Sequence, residues 1–252
     1  MTVITPFVVF IAAIVLWQIP GDECEEIIGG KEAKRHSWPS LALIQVDHKQ
    51  CGGVLIKEQW VLTAAHCKGT DMKVTLGAHS VSKKEKEKQR FTVSQAFPYE
   101  KFNNKTFKND IMLLKLKVPV KTNQYIKTLA LPAEGKDIKV KTTCRTAGWG
   151  ITNMKNKKGS DKLMEVDISV VSRKQCQTYY KKTVITNSML CAWDKDGKKD
   201  TSQGDSGGPL LCNGKYAAIT SFGSKSGEAP GVYTLLTTKF IKWIHKVTGG
   251  AE

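Results

Sequence analysis

From residue 27 onward, apolar side chains come in short bursts and never in long runs. Bursts at 41–46, 54–56, 60–62, 74–76 and 111–116 are separated by Gly, Pro, Asn or charged clusters, and the style returns at 166–171, 216–222 and 231–236. Apolar runs of this length between turn-forming residues predict β-strands. Many short strands with no helices between them predict an all-β fold of closed antiparallel barrels. The tail breaks the pattern. Phe240, Trp243, Ile244 and Val247 recur at helical spacing, which predicts a C-terminal α-helix packed on the body.

Before residue 27 the pattern differs again. An apolar run at 7–17 is followed by Pro20-Gly21 and an acidic patch. It has the length of a signal-peptide core and falls short of the roughly 20 residues a membrane span needs. The residues ahead of it carry no Lys or Arg, a departure from the usual signal. A cleaved signal is the expectation, and an uncleaved anchor the alternative.

Composition adds two constraints. The 252 residues are 40% hydrophobic and 25% charged, enough for one or two compact domains with a proper core. Lys and Arg number 39 against 23 Asp and Glu, a formal charge of +16. The first 26 residues hold Asp22, Glu23, Glu25 and Glu26 and no base, so the remainder is more basic still. Such a charge favours anionic partners: sulfated glycans, nucleic acid or anionic lipid. Two runs concentrate it, Lys83-Lys84-Glu85-Lys86-Glu87-Lys88-Gln89-Arg90 and Lys155-Asn156-Lys157-Lys158. They read either as solvated loops or as an anion-binding surface. Asn104-Lys105-Thr106 is an acceptor site for N-glycosylation in a secreted chain.

Seven cysteines stand at 24, 51, 67, 144, 176, 191 and 212. No paired Cys-x-x-Cys spacing is present, which argues against a zinc or redox motif, so neither a metal nor a cofactor is expected. Six of the seven follow position 27, and an even set in a secreted chain reads as disulfides.

Gly204-Asp205-Ser206-Gly207-Gly208-Pro209 is the stretch that carries candidate chemistry. Glycines flanking a serine clear space for a reacting carbonyl and let backbone N–H groups converge where negative charge develops. A serine nucleophile needs a base, and His66 in Thr63-Ala64-Ala65-His66-Cys67 has the best setting. His36, His48, His79 and His245 lack one and read as surface residues. Asp110 heads Asp110-Ile111-Met112-Leu113-Leu114, and a carboxylate opening a hydrophobic strand suits a buried acid that orients an imidazole. Taken singly, His66 also reads as a strand-end residue and Asp110 as a turn former. Order separates two catalytic folds. In the nucleophile elbow of α/β-hydrolases the acid and histidine follow the serine. Here the residues after Ser206 include His245 and no Asp, and the order is His…Asp…Ser.

With Ile27-Ile28-Gly29-Gly30 added to these motifs, the chain resembles the chymotrypsin-fold serine proteases from Ile27 to its end. Within them it is similar to the granzyme A-type granule tryptases, through Cys24-Glu25-Glu26, Leu76-Gly77-Ala78-His79-Ser80, Phe97-Pro98-Tyr99 and Ser221-Phe222-Gly223. The resemblance implies two six-stranded antiparallel barrels meeting near 130–140. It implies a signal over 1–24, an activation dipeptide at 25–26 removed by a dipeptidyl peptidase, and a protease domain over 27–252. Ser206 is then the nucleophile, His66 the base and Asp110 its orienter, with the N–H groups of Gly204 and Ser206 as the oxyanion hole. The new N-terminus at Ile27 pairs with Asp205. Asp200 floors the S1 pocket between walls at Gly223 and Gly231 and favours Lys or Arg. The implied bridges are Cys51–Cys67, Cys144–Cys212 and Cys176–Cys191, leaving Cys24 on the discarded side.

The chain departs from that pattern at Ser202 and in Ser224-Lys225-Ser226-Gly227, where the tryptases carry a fourth bridge. The cysteine that would join two copies is also missing, since Phe97-Pro98-Tyr99 continues with Glu100-Lys101, so a covalent dimer is not supported. The resemblance implies a secreted enzyme kept in the secretory granules of lymphoid cells, with no membrane span after signal removal and anionic proteoglycan as a partner. The alternative function is a basic protein of this fold that acts by binding anionic glycans or nucleic acid.

Overall fold

The computed structural model describes residues 30–47, 49–153, 158–194, 204–223 and 228–250. After a two-residue strand β1 (Lys31–Glu32) come β2 (Leu41–Val46), β3 (Lys49–Lys57), β4 (Trp60–Thr63), β5 (Met72–Leu76), β6 (Gln89–Pro98) and β7 (Met112–Leu116). The last six close a barrel in the order β2-β3-β4-β7-β6-β5, with every pairing antiparallel. The second half supplies β8 (Thr143–Gly148), β9 (Ile151–Asn153), β10 (Lys158–Gly159), β11 (Met164–Val171), β12 (Met189–Trp193), β13 (Pro209–Cys212), β14 (Lys215–Phe222) and β15 (Gly231–Leu235). Strands β11-β12-β15-β14-β13-β8 form a sheet that the β11–β8 pairing closes into a second six-stranded barrel. Strand β1 adds to β11, so the start of the described chain lies on the second barrel. Strands β9 and β10 form a separate ribbon.

Strand β2 explains the unbroken apolar bursts. Side chains alternate across a strand. Ala42, Ile44 and Val46 point into the first barrel's core, while Leu41 and Leu43 join Ala33, Trp38, Ala147, Trp149 and Leu163 between the barrels. Apart from the exposed Gln45, both faces are buried, so the strand reads as nearly continuous hydrophobicity. Strand β6 alternates between half-buried and exposed positions along much of its length, and its mixed composition hides it from a search for apolar bursts.

The tail forms the expected helix, α2 (Thr238–Thr248). It packs on the first barrel: Phe240 and Ile244 are fully buried in that core, and Tyr99 meets Phe240 and Trp243 edge-on. Burying those two side chains contributes about 2–3 kcal/mol each.

Three expectations need correction. A short helix, α1 (Arg173–Tyr179), does lie between strands. Ser172 caps it by accepting from the Gln175 N–H, and Cys176, its one buried residue, is bridged to Cys191. One buried position leaves no helical periodicity to read. His79 is not a surface residue: it is 3% exposed, with Nε2 2.8 Å from Glu32 Oε1. The basic run at 83–90 is not uniformly solvated either. The Lys88 and Glu85 side chains are 5% and 6% exposed and paired, Glu85 accepts from the His79 and Ser80 N–H groups, and Gln89-Arg90 already belong to β6. Lys155, Asn156 and Lys157 lie outside the described residues, as do Cys24 and His48.

Candidate active site

His66 sits in a single 3₁₀ turn, Ala65–Cys67, immediately after β4. The turn is pinned from behind by Cys51–Cys67, which joins it to β3. The other two bridges are Cys144–Cys212, between neighbouring strands β8 and β13, and Cys176–Cys191. Among the described residues, Cys51 and Cys67 bring their sulfur atoms close to His66, and their bond to each other uses them up as metal ligands.

Asp110 stands two residues before β7 with no exposure at all. Its Oδ1 accepts from the His66 backbone N–H at 2.9 Å, and Oδ2 lies 2.7 Å from His66 Nδ1. The loop leading to it turns through left-handed backbone at Phe107 and Asn109. That path delivers the carboxylate under the imidazole instead of out to solvent. The second barrel completes the cage. Ser221 Oγ, in β14, donates to Oδ2 at 2.5 Å, and Thr234 Oγ1, in β15, donates to the Asp110 carbonyl at 2.8 Å. A carboxylate facing Nδ1 fixes the tautomer and leaves Nε2 as the nitrogen able to take a proton.

Ser206 comes from the second barrel, ahead of β13. Its carbonyl accepts from the Gly52 N–H at 2.8 Å, so the serine is held beside the same β3 segment that carries Cys51. Gly207 N–H donates to the Thr220 carbonyl and Gly208 N–H to that of Asp205. The glycines are needed for two reasons. Gly204 and Gly207 adopt φ of +107° and +86°, where side chains are rare, and a Cβ on Gly207 would overlap Thr63 and the Gly52 carbonyl. Asp205 is 1% exposed and its Oδ1 accepts from the Gly150 N–H at 2.8 Å.

Aromatic rings finish one side. Phe107 meets the His66 ring edge-on at 5.4 Å and Phe222 at 5.2 Å, and Tyr180 meets Phe222 at 5.5 Å. These rings cover one flank of the imidazole.

The fold therefore gathers His66, Asp110, Gly204, Asp205 and Ser206 from two barrels. Gly231 opens β15 and is buried, while Gly223 is exposed at the end of β14. Ile27 and Asp200 lie outside the described residues. Asn104 is exposed in the loop before Phe107, where Asn103 Oδ1 accepts from Lys105 and Thr106 N–H groups. Sequence reasoning missed Ser221 and Thr234. Their hydroxyls lie 111 and 124 residues from Asp110, and only closure of the second barrel brings them there.

A family model described as trypsin matches residues 27–244. Granzyme-like protein 1 of Rattus norvegicus is 43% identical over 232 residues, covering 90% of this chain and 93% of its own. Granzyme A of Bos taurus is 43% identical over 251 residues, 96% of each. Cathepsin G of Homo sapiens is 39% identical over 228 residues, 89% of this chain and 88% of its own. Similarity is spread almost evenly over differently named relatives, so it fixes the family and leaves the substrate side chain to the residues themselves. With its two barrels and its match across 27–244, this chain belongs to the trypsin family of serine proteases.

Proposed function

We propose that the chain is an endopeptidase that cleaves after Lys or Arg through an acyl-enzyme, in the manner of granule tryptases. The observation that carries this reading is the Asp110 carboxylate, buried and held against both the backbone and Nδ1 of His66. Ser206 Oγ attacks the scissile carbonyl while its proton passes to His66 Nε2. The C–N bond then breaks, the leaving amine takes that proton, and water repeats the sequence on the ester. Asp110 stabilises the imidazolium formed at each step. The N–H groups of Gly204 and Ser206 receive the developing oxyanion, where one donor is worth about 10²–10³ in rate.

Specificity rests on Asp200, six residues before Ser206, between walls at Gly223 and Gly231. A carboxylate in a confined pocket pairs strongly with a substrate ammonium or guanidinium. Activation rests on Ile27 and Asp205. Once the signal (1–24) has been cleaved, removal of the dipeptide (25–26) by a dipeptidyl peptidase frees the Ile27 ammonium to pair with Asp205, giving a mature domain over 27–252. Residues 130–140 lie in the connection between the two barrels.

The enzyme is read as secreted and held in lymphoid secretory granules on anionic proteoglycan, with a glycan at Asn104. No helix among the described residues is long and apolar enough to cross a membrane. For the polyanion, Lys83, Lys84, Lys86 and Arg90 are the exposed basic members of the first run, while Lys88 is paired inside.

Hydrolysis of Lys and Arg thioesters by protein processed to Ile27, lost in Ser206→Ala, is the expected result. A peptide library cleaved after Phe or Leu would overturn the specificity. Absence of turnover in correctly processed protein would leave binding of anionic polymers as the function.

A further inference from the structure

His79 is buried, yet the mechanism above gives it no task. Its Nε2 is 2.8 Å from Glu32 Oε1, and its Nδ1 is buried without a partner. A side chain with an unsatisfied buried nitrogen is a poor space filler, because an apolar residue of similar size avoids that cost. What the residue holds together is informative. Its carbonyl accepts two bonds from the second barrel, from Trp149 Nε1 at 2.9 Å and from the Leu163 N–H at 2.7 Å. Its N–H donates to Glu85 at 2.8 Å. Glu32 lies on β1, five residues after Ile27, and its second oxygen is 2.7 Å from Lys162 Nζ. Trp149 is followed by Gly150, whose N–H holds Asp205.

We propose that His79 is a positioning residue of activation, tying the strand that follows the new N-terminus to the Trp149-Gly150 segment that holds Asp205. This rests on the reading in which Ile27 pairs with Asp205. Among the described residues, Glu32, His79, Trp149 and Gly150 link the strand five residues after Ile27 to Asp205. Docking the N-terminal strand through Glu32 pulls on the residue whose carbonyl anchors the Trp149 ring. Anchoring the ring fixes where the Gly150 N–H points. Other charges close to His79 are already committed. Glu85 is bonded to Arg35 and Lys88, and Asp161 to Ser80.

The consequence is measurable in the alkaline limb of activity. Only the ammonium form of Ile27 pairs with Asp205, so stronger docking raises the pH at which half the activity is lost. Each tenfold loss in the docking equilibrium lowers that pH by about one unit. For enzyme processed to Ile27, kcat/KM for a Lys thioester is followed from pH 7 to 11, with active sites titrated at each pH. His79→Leu is expected to shift the limb down by roughly one unit, a roughly tenfold weaker docking. His79→Gln, whose amide still reaches Glu32, recovers part of the shift. Glu32→Gln lowers the limb too, and combined with His79→Leu adds little further. Glu32 is 42% exposed at its side chain, so its variant remains informative if His79→Leu does not fold. An unmoved limb in Glu32→Gln or His79→Leu, with only a lower melting temperature, overturns the proposal. The reading beneath it fails separately, if unmutated enzyme keeps full activity after its N-terminal amine is carbamylated.

Discussion

Gly148→Ala isolates the environment of Asp205. The backbone at Gly148 lies outside the left-handed region, so alanine can adopt it and the whole effect is steric. A Cβ built there would stand 2.0 Å from Asp205 Oδ1, against 3.4 Å for ordinary contact. The carboxylate must retreat by about 1.4 Å to regain that contact. Moving away from the 148–150 segment takes its oxygen out of range of the Gly150 N–H, now at 2.8 Å. Asp205 adjoins Ser206, so the displacement reaches the loop proposed to form the oxyanion hole. Misplacement of about 1 Å can cost 10²-fold in rate, and kcat/KM is expected to fall by roughly 10²–10³. Overpacking costs about 1–3 kcal/mol, a drop of roughly 2–10 °C in Tm for a domain of this size. The assay pairs active-site titration and kcat/KM with a thermal melt, so that inactive folded enzyme is separated from unfolded protein. A folded Gly148→Ala enzyme with kcat/KM within about threefold of the parent refutes the reasoning, since it would mean that the position of the Asp205 carboxylate does not govern the hole.

Three further outcomes follow from the same structure. Ser221→Ala removes one of three donors to the Asp110 carboxylate; with two retained, kcat falls about two- to tenfold and KM holds, checked by steady-state kinetics. Replacing Cys51 and Cys67 together by serine opens a bridge with a sequence separation of 16; about 3 kcal/mol of stability is lost in denaturant titration, and activity falls further because the His66 turn is no longer pinned. For Glu85, burial pushes the carboxyl up, but the His79 and Ser80 N–H groups and Arg35 outweigh it and hold it below the usual range. A lowered folded value stabilises above the ordinary carboxylate range and loses that contribution as pH falls through it. Glu85→Gln therefore costs about 1–2 kcal/mol near pH 6, a gap that narrows toward pH 3 in chemical denaturation.

Much of this was legible in the chain. Strands with two buried faces, such as β2, announce themselves as apolar bursts, and α2 does so through Phe240 and Ile244. His66, Asp110 and Ser206 drew attention as candidates because their neighbours are unusual for their chemistry: a cysteine, an apolar strand and a set of glycines. What stayed hidden depends on partners remote in sequence. His79 looks polar and is buried, since Glu32 and Trp149 arrive from the other barrel. Lys88 looks solvated, yet Glu85 folds back over it. Ser221 and Thr234 are ordinary strand hydroxyls until β14 and β15 bring them to Asp110. A local pattern reports what a residue prefers, and these positions are set by who arrives later.

The cage around Asp110 also has a consequence for biosynthesis. Two of its hydrogen bonds come from residues 111 and 124 positions further along. A chain made at about 5–20 residues per second exposes Asp110 and His66 several seconds before those partners exist. Contacts of such long range form late. During that interval His66 and Asp110 sit in an unfinished pocket, without the second-barrel segment that carries Ser206. On the proposed roles of these residues, a half-made chain is inert until the second barrel folds, a restraint that comes before the proposed processing at Ile27.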